Sequence, residues 1–338
     1  MPSPFPNLPP EQRGRVRVID LASQALRDNP WGDPSHRDVT VYTPPGFKAI
    51  KAPLPAILIL APFAGTGEGL LGRGLSDISI ASRIDHLIAK GCPPFLAVMP
   101  DCMTSLGGSQ YLDSPGMGNY ASYVMDEIIP FIEGRFACSG KWGAVGRSSG
   151  GFGALSMAMS FPGRLRAVGS MAGDMGFDLC YLGDLSAAVV GVQKAGGLDG
   201  FREHFWKSNR PGHHLFAGMN ILAMSCCYSP DVDRKPFPAR LPIDFITGEV
   251  DFDVLASWRR HDPIVRVDTD GDALRDLDLL FLDAGDRDEY NLHLGLRRFV
   301  ARLDALGIEH VHEEFSGGHR GTTFRFDRVL PLMARALC

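Results

Sequence analysis

At 338 residues the chain is long enough for one large α/β domain or two ordinary ones. An apolar content of 45% and a charged content of 22% are those of a soluble globular protein, and a net charge of −5 leaves no electrostatic footprint for nucleic acid or anionic lipid. The longest apolar run, Leu54 to Phe63, is broken by Pro55 and Pro62 and is too short for a bilayer, so no membrane partner is expected. Cys226-Cys227 and His213-His214 are adjacent pairs without metal-ligand spacing, so no metal or other cofactor is expected. Seven scattered cysteines and a Pro-rich, polar start without an apolar segment point to reduced thiols and a cytoplasmic location.

In chain order, residues 1–14 read as an N-terminal arm and 15–338 as a single domain. Arg15 to Leu21 and Arg37 to Tyr42 alternate with period two and end at Pro44-Pro45-Gly46, the pattern of two antiparallel strands. The pattern then changes to short apolar strands separated by helices, which signals a mainly parallel sheet. The strands are expected over Ala56 to Ala61, Phe95 to Pro100, Trp142 to Val145, Arg166 to Met171, Asp278 to Asp283 and Glu309 to Phe315. Helices are expected over Asp77 to Lys90, Tyr120 to Arg135, Gly150 to Ser160, Leu292 to Leu306 and Arg325 to Leu337. The stretch between Met171 and Asp278 is far longer than a strand-to-strand crossover needs. Its helical pieces, Leu185 to Lys194, Leu198 to Trp206 and Phe216 to Cys226, make residues 178–240 a helical insertion over the active edge of the sheet.

The chemistry starts at Gly146-Arg147-Ser148-Ser149-Gly150, between an apolar strand and a small-residue helix. This is the pattern of a nucleophile elbow, a strained turn that lifts a serine hydroxyl above the sheet edge. In so glycine-rich a chain the pattern is weak alone, and its weight depends on a base, an acid and an oxyanion site. Of ten histidines, His319 follows the last strand directly in the loop Ser316-Gly317-Gly318-His319, at the edge where parallel sheets gather catalytic groups. His310 and His312 lie within that strand, His293 on a helix and His261 in a charged loop. The acid should follow the preceding strand, and three carboxylates of its loop compete: Asp286, Asp288 and Glu289. Asp288 is set deeper than Asp286, Glu289 reads as a helix N-terminal charge, and Glu249 and Asp251 after Leu241 to Thr247 are a distant alternative. The oxyanion amides are expected from Ser149 and from the loop Pro62 to Gly67, where Pro62 lacks an N–H and Phe63, then Ala64, are the donors. Asp101, Gln110 and Tyr111, after another strand at the same edge, are candidates for the substrate pocket or for a structural loop.

Taken together, Phe63-Ala64-Gly65-Thr66-Gly67, Gly146-Arg147-Ser148-Ser149-Gly150-Gly151, Gly285-Asp286-Arg287-Asp288-Glu289 and Gly317-Gly318-His319 resemble a known esterase family. That family includes esterase D (S-formylglutathione hydrolase), enterochelin-esterase-like proteins, feruloyl esterases and mycolyltransferases. The resemblance runs from about Arg15 to the C-terminus. It implies an α/β-hydrolase fold with about eight mostly parallel strands flanked by helices, and the hydrolysis of carboxylic esters. It also implies Asp288 as the acid, at the last position of Gly-x-x-Asp. Pro62 departs from the family, which usually has glycine there, and the insertion is longer than in the compact esterases.

The resulting expectation is a serine esterase with a Ser148–His319–Asp288 triad, an acyl-enzyme intermediate and a small-molecule ester as substrate. An acyltransferase using the same triad and a catalytically silent binding protein of the same fold are the alternatives. The sequence leaves the identity of the ester open, and the oligomeric state as well, a homodimer included.

Overall fold

A computed structural model describes residues 8–72 and 78–338. Its central feature is an eight-stranded sheet. In chain order the strands are β1 (Arg15–Ala22), β2 (His36–Thr43), β3 (Leu54–Leu60), β4 (Leu96–Pro100), β5 (Cys138–Arg147), β6 (Ala167–Met171), β7 (Leu279–Gly285) and β8 (Val311–Phe315). In space they run β1-β2-β4-β3-β5-β6-β7-β8. Strand β2 pairs antiparallel with β1 and β4, and every later pairing is parallel. All eight expected strands form, with ends shifted by a few residues. A separate two-residue hairpin, Asp113–Ser114 with Gly118–Asn119, lies outside this sheet.

The apolar runs work because the sheet is covered on both faces. All of β3 is buried, and its side chains alternate between two cores. Ile57 and Ile59 join Val145, Phe281, Val329 and Met333 on one face, under the helices Ile80–Ala89 and Phe326–Ala336. Ala56, Leu58 and Leu60 face the other core with Phe152, Leu155 and Phe299, under the helices Ser149–Ser160 and Leu292–Leu306. The helix expected over Tyr120 to Arg135 runs from Tyr120 to Glu133 and is wound as a π-helix over Tyr123–Ile128, just ahead of Pro130, which has no N–H to donate. The first expected helix begins at Ile80; Asp77 lies outside the described residues, as do residues 1–7 of the expected arm.

Between β6 and β7 the expected helices form as Leu185–Lys194, Leu198–Lys207 and His213–Tyr228. Two more, Phe252–Trp258 and Pro263–Asp270, extend the helical stretch beyond residue 240. Leu241 to Thr247 is irregular, held by a single bridge between Ile243 and Val250. Glu249 and Asp251 therefore do not follow a sheet strand, and Asp251 instead caps the helix Phe252–Trp258 by accepting from Val254 N–H at 2.9 Å. Among the described residues no helix is long and apolar enough to cross a membrane.

Candidate active site

Ser148 stands in the turn between β5 and the helix Ser149–Ser160, with φ 54° and ψ −126°. A side chain at positive φ is strained, and the turn needs that strain to reverse the chain in one residue. The flanking glycines are required by contact. A Cβ on Gly146 would fall 2.4 Å from the carbonyl carbon of Gly150, and one on Gly150 would fall 2.4 Å from Leu60 O on β3. Neither neighbour is a flexible side chain. Gly150→Ala should therefore lose on the order of 3–5 kcal/mol of stability, read as a large drop in thermal midpoint or loss of soluble protein.

His319, in the loop after β8, is buried, and its Nδ1 lies 2.8 Å from Asp288 Oδ2. The Asp288 side chain is fully buried, and its other oxygen accepts from Tyr290 N–H at 2.9 Å. Tyr290 packs edge-on against the imidazole, with ring centres 4.9 Å apart. With Nδ1 engaged, Nε2 is the nitrogen left for proton transfer. The other two carboxylates of the loop hold backbone. Asp286 accepts from Gly317 N–H at 3.0 Å, which keeps its carboxyl below the usual range. Glu289 lies in a turn before the helix, not at the helix start, and accepts from His319 N–H, which likewise lowers its pKa.

In the loop after β3, Ala64 N–H is consumed by Gly107 O, whereas Phe63 N–H has no partner among the described residues. Ser149 N–H opens its helix and is one of the orphan amides of a helix N-terminus. The Phe63 ring packs edge-on against Phe216 of the helix His213–Tyr228, with centres 5.6 Å apart. Ser148, Ser149, Phe63 and His319 all line one cavity of about 510 Å³, shared with Tyr181 and Phe216 from the stretch between β6 and β7. A larger cavity of about 670 Å³ lies elsewhere, beside Asp244, Glu249 and Asp251, and contains none of these groups.

The three expected pocket residues are not in this cavity's wall. Asp101 accepts from Met103 N–H at 3.0 Å in a turn and faces Arg37 at 3.5 Å. Tyr111 is buried and donates to Ala61 O at 2.8 Å, bracing the loop after β3 from behind. Gln110 stands one layer back, where its amide donates to Asp174 Oδ2 at 2.9 Å and to Tyr228 OH at 2.9 Å.

Asp174 is the site residue that the sequence reading missed. It follows β6, is 7% exposed, and lines the same cavity. Its Oδ1 accepts from Ser148 Oγ at 3.3 Å, so the serine hydroxyl is turned toward this carboxylate rather than the imidazole. Burial raises the pKa of Asp174, while Gln110, Tyr181 and the nearby His319 oppose that shift. The signal available was positional: a Gly-Asp pair directly after a parallel strand at the edge that carries the other groups. Backbone strain marks the same edge. Of seven non-glycine residues with positive φ among the described residues, Ala64, Gln110, Tyr111, Ser148, Ala172 and Asn291 lie in the loops around these groups; only Asp28 does not.

The sequence profile of a family described as "Putative esterase" matches residues 34–330. The chain belongs to this esterase family. Its fold is shared with a ferulic acid esterase (TM-score 0.62, 19% identity, 96% of this chain and 99% of the other covered). It is likewise similar to an S-formylglutathione hydrolase from Agrobacterium tumefaciens (TM-score 0.57, 18% identity, 96% of each chain covered). A third similar structure is MPT51 (FbpC1) of Mycobacterium tuberculosis (TM-score 0.56, 13% identity, 96% and 99% covered). No curated protein matches the sequence significantly. At these identities the structural likeness speaks for the esterases' α/β-hydrolase fold, and the chemistry has to be argued from this chain's own residues.

Proposed function

We propose that this esterase is a carboxylic-ester hydrolase that works through a Ser148–His319–Asp288 triad and an acyl-enzyme. The observation that carries the reading is the 2.8 Å contact of buried Asp288 with His319 Nδ1, in a cavity that also exposes the strained Ser148. Ser148 Oγ attacks the ester carbonyl as His319 Nε2 takes its proton, and Asp288 stabilises the imidazolium that forms. Charge developing on the carbonyl oxygen is met by the Phe63 and Ser149 amides. The imidazolium then protonates the leaving alcohol, and a water deprotonated by the same imidazole releases the acid.

In the resting geometry the Ser148 hydroxyl points to Asp174, so a rotation about its Cα–Cβ bond precedes attack. Catalytic hydrogen bonds are commonly loose before substrate binds. The residues between β6 and β7 that wall the cavity (Tyr181, Pro211, His213, Phe216, Asn220) act as a cap that shapes the acyl and alcohol subsites. Of the aromatic residues of this stretch, Phe201 and Phe205 are core, Trp206 is half-exposed and donates to Ser105 O, and Tyr181 and Phe216 reach the cavity. Loss of ester turnover in Ser148→Ala tests the reading.

A further inference from the structure

Asp174 has no role in the triad, yet it accepts a hydrogen bond from the attacking oxygen. Its two oxygens are treated unequally. Oδ2 accepts three hydrogen bonds, from Gln110 Nε2 at 2.9 Å, Tyr181 OH at 3.0 Å and Ser149 Oγ at 3.2 Å. Tyr228 extends this web, since its hydroxyl oxygen accepts from Gln110 Nε2 at 2.9 Å and lies 3.2 Å from Tyr181 OH. Among the described residues Oδ1 accepts only from Ser148 Oγ, at 3.3 Å, a long contact for an O–H donor. The fixed side of the carboxylate is thus saturated by the protein, and the side facing the cavity is held by the one hydroxyl that must leave to react.

When Ser148 turns toward His319, Oδ1 loses its donor inside a buried site. A carboxylate oxygen without a partner opposes that rotation, and it also opposes the negative charge that gathers beside it in the tetrahedral intermediate. A substrate that brings its own donor to Oδ1 removes the first penalty and weakens the second. The position of that donor follows from the distances. Oγ starts 3.3 Å from Oδ1 and bonds to the carbonyl carbon, so the second and third acyl carbons are the nearest that can carry a donor to Oδ1. Asp174 also takes Ser149 Oγ, so it flanks the oxyanion amide, whereas the leaving alcohol must face His319. The donor therefore belongs to the acyl part.

Resting on the hydrolase reading above, we infer that Asp174 is a specificity-determining residue that selects esters of hydroxy or amino acids, with the hydroxyl or ammonium on the second or third acyl carbon. The test is a series of three 4-nitrophenyl esters: 3-hydroxybutyrate, 3-methoxybutyrate and butyrate. The methoxy ester matches the polarity of the first without its donor. For the wild-type enzyme, kcat/KM for the hydroxy ester should exceed that of both others by at least about tenfold, since a site built to bond a substrate hydroxyl rejects the analogue lacking it. In Asp174→Asn the amide presents an N–H where Oδ1 stood, and the ratio should collapse toward unity. Equal wild-type rates, a preference for the methoxy or butyrate ester, or a ratio that survives in Asp174→Asn would each overturn the inference. The wild-type series decides even if the variant does not fold. Turnover of all three esters at equal rates with Ser148 still reactive leaves the hydrolase reading standing; no turnover of any of them removes both.

Discussion

Ser148→Ala should lower kcat for any ester by about 10⁴- to 10⁶-fold while leaving the fold intact. The methyl group replaces a hydroxyl whose hydrogen bond to Asp174, at 3.3 Å, is too long to stabilise the fold appreciably. The elbow is set by Gly146, Gly150 and the Ser148 N–H bond to Met171 O at 3.0 Å, all of which survive the substitution. A residual rate above that in water is expected from the two oxyanion amides alone. Progress curves with a short-chain aryl ester measure the effect. A variant that retained more than about a hundredth of the activity would place the nucleophile elsewhere.

Asp288→Asn should cost about 10⁴-fold in kcat, whereas Asp286→Asn, two residues away, should change it by less than about tenfold. The physical difference is what each carboxylate touches. Asp288 receives the imidazole Nδ1–H and holds the tautomer that leaves Nε2 basic; an asparagine in its place presents its own N–H and selects the wrong tautomer. Asp286 is part-exposed and accepts a backbone N–H from Gly317, a task that an asparagine oxygen can also perform. Comparable losses in the two variants would mean that the loop as a whole, and not one carboxylate, sets the imidazole.

Much of this arrangement was legible in the sequence because its parts are local. Leu54 to Leu60, Leu96 to Pro100 and Leu279 to Asp283 are apolar on both faces, so they read as parallel strands, and each reactive group follows a strand within a few residues. What escaped reading depends on contacts across the chain. Asp174 becomes a site residue through Gln110, 64 positions away, and Tyr181, brought over it by the helical stretch after β6. Nothing in Ala172-Gly173-Asp174 alone announces that. Glu289 looked like a helix N-terminal charge, but Asn291 adopts a left-handed conformation and the helix begins only at Leu292. Leu241 to Thr247, ahead of the distant alternatives Glu249 and Asp251, has no place in the sheet, because β6 pairs directly with β7. Asp101 and Tyr111 had the right position after a strand, and lost their polar groups to a turn amide and to Ala61 O.

The Ser148 nucleophile is tested by chemical labelling of the native chain with an organophosphorus fluoride, followed by mass mapping of the adduct. One adduct per chain is expected, carried by Ser148 and lost in Ser148→Ala. An adduct on any other residue, or none on the folded protein, would contradict Ser148 as the nucleophile.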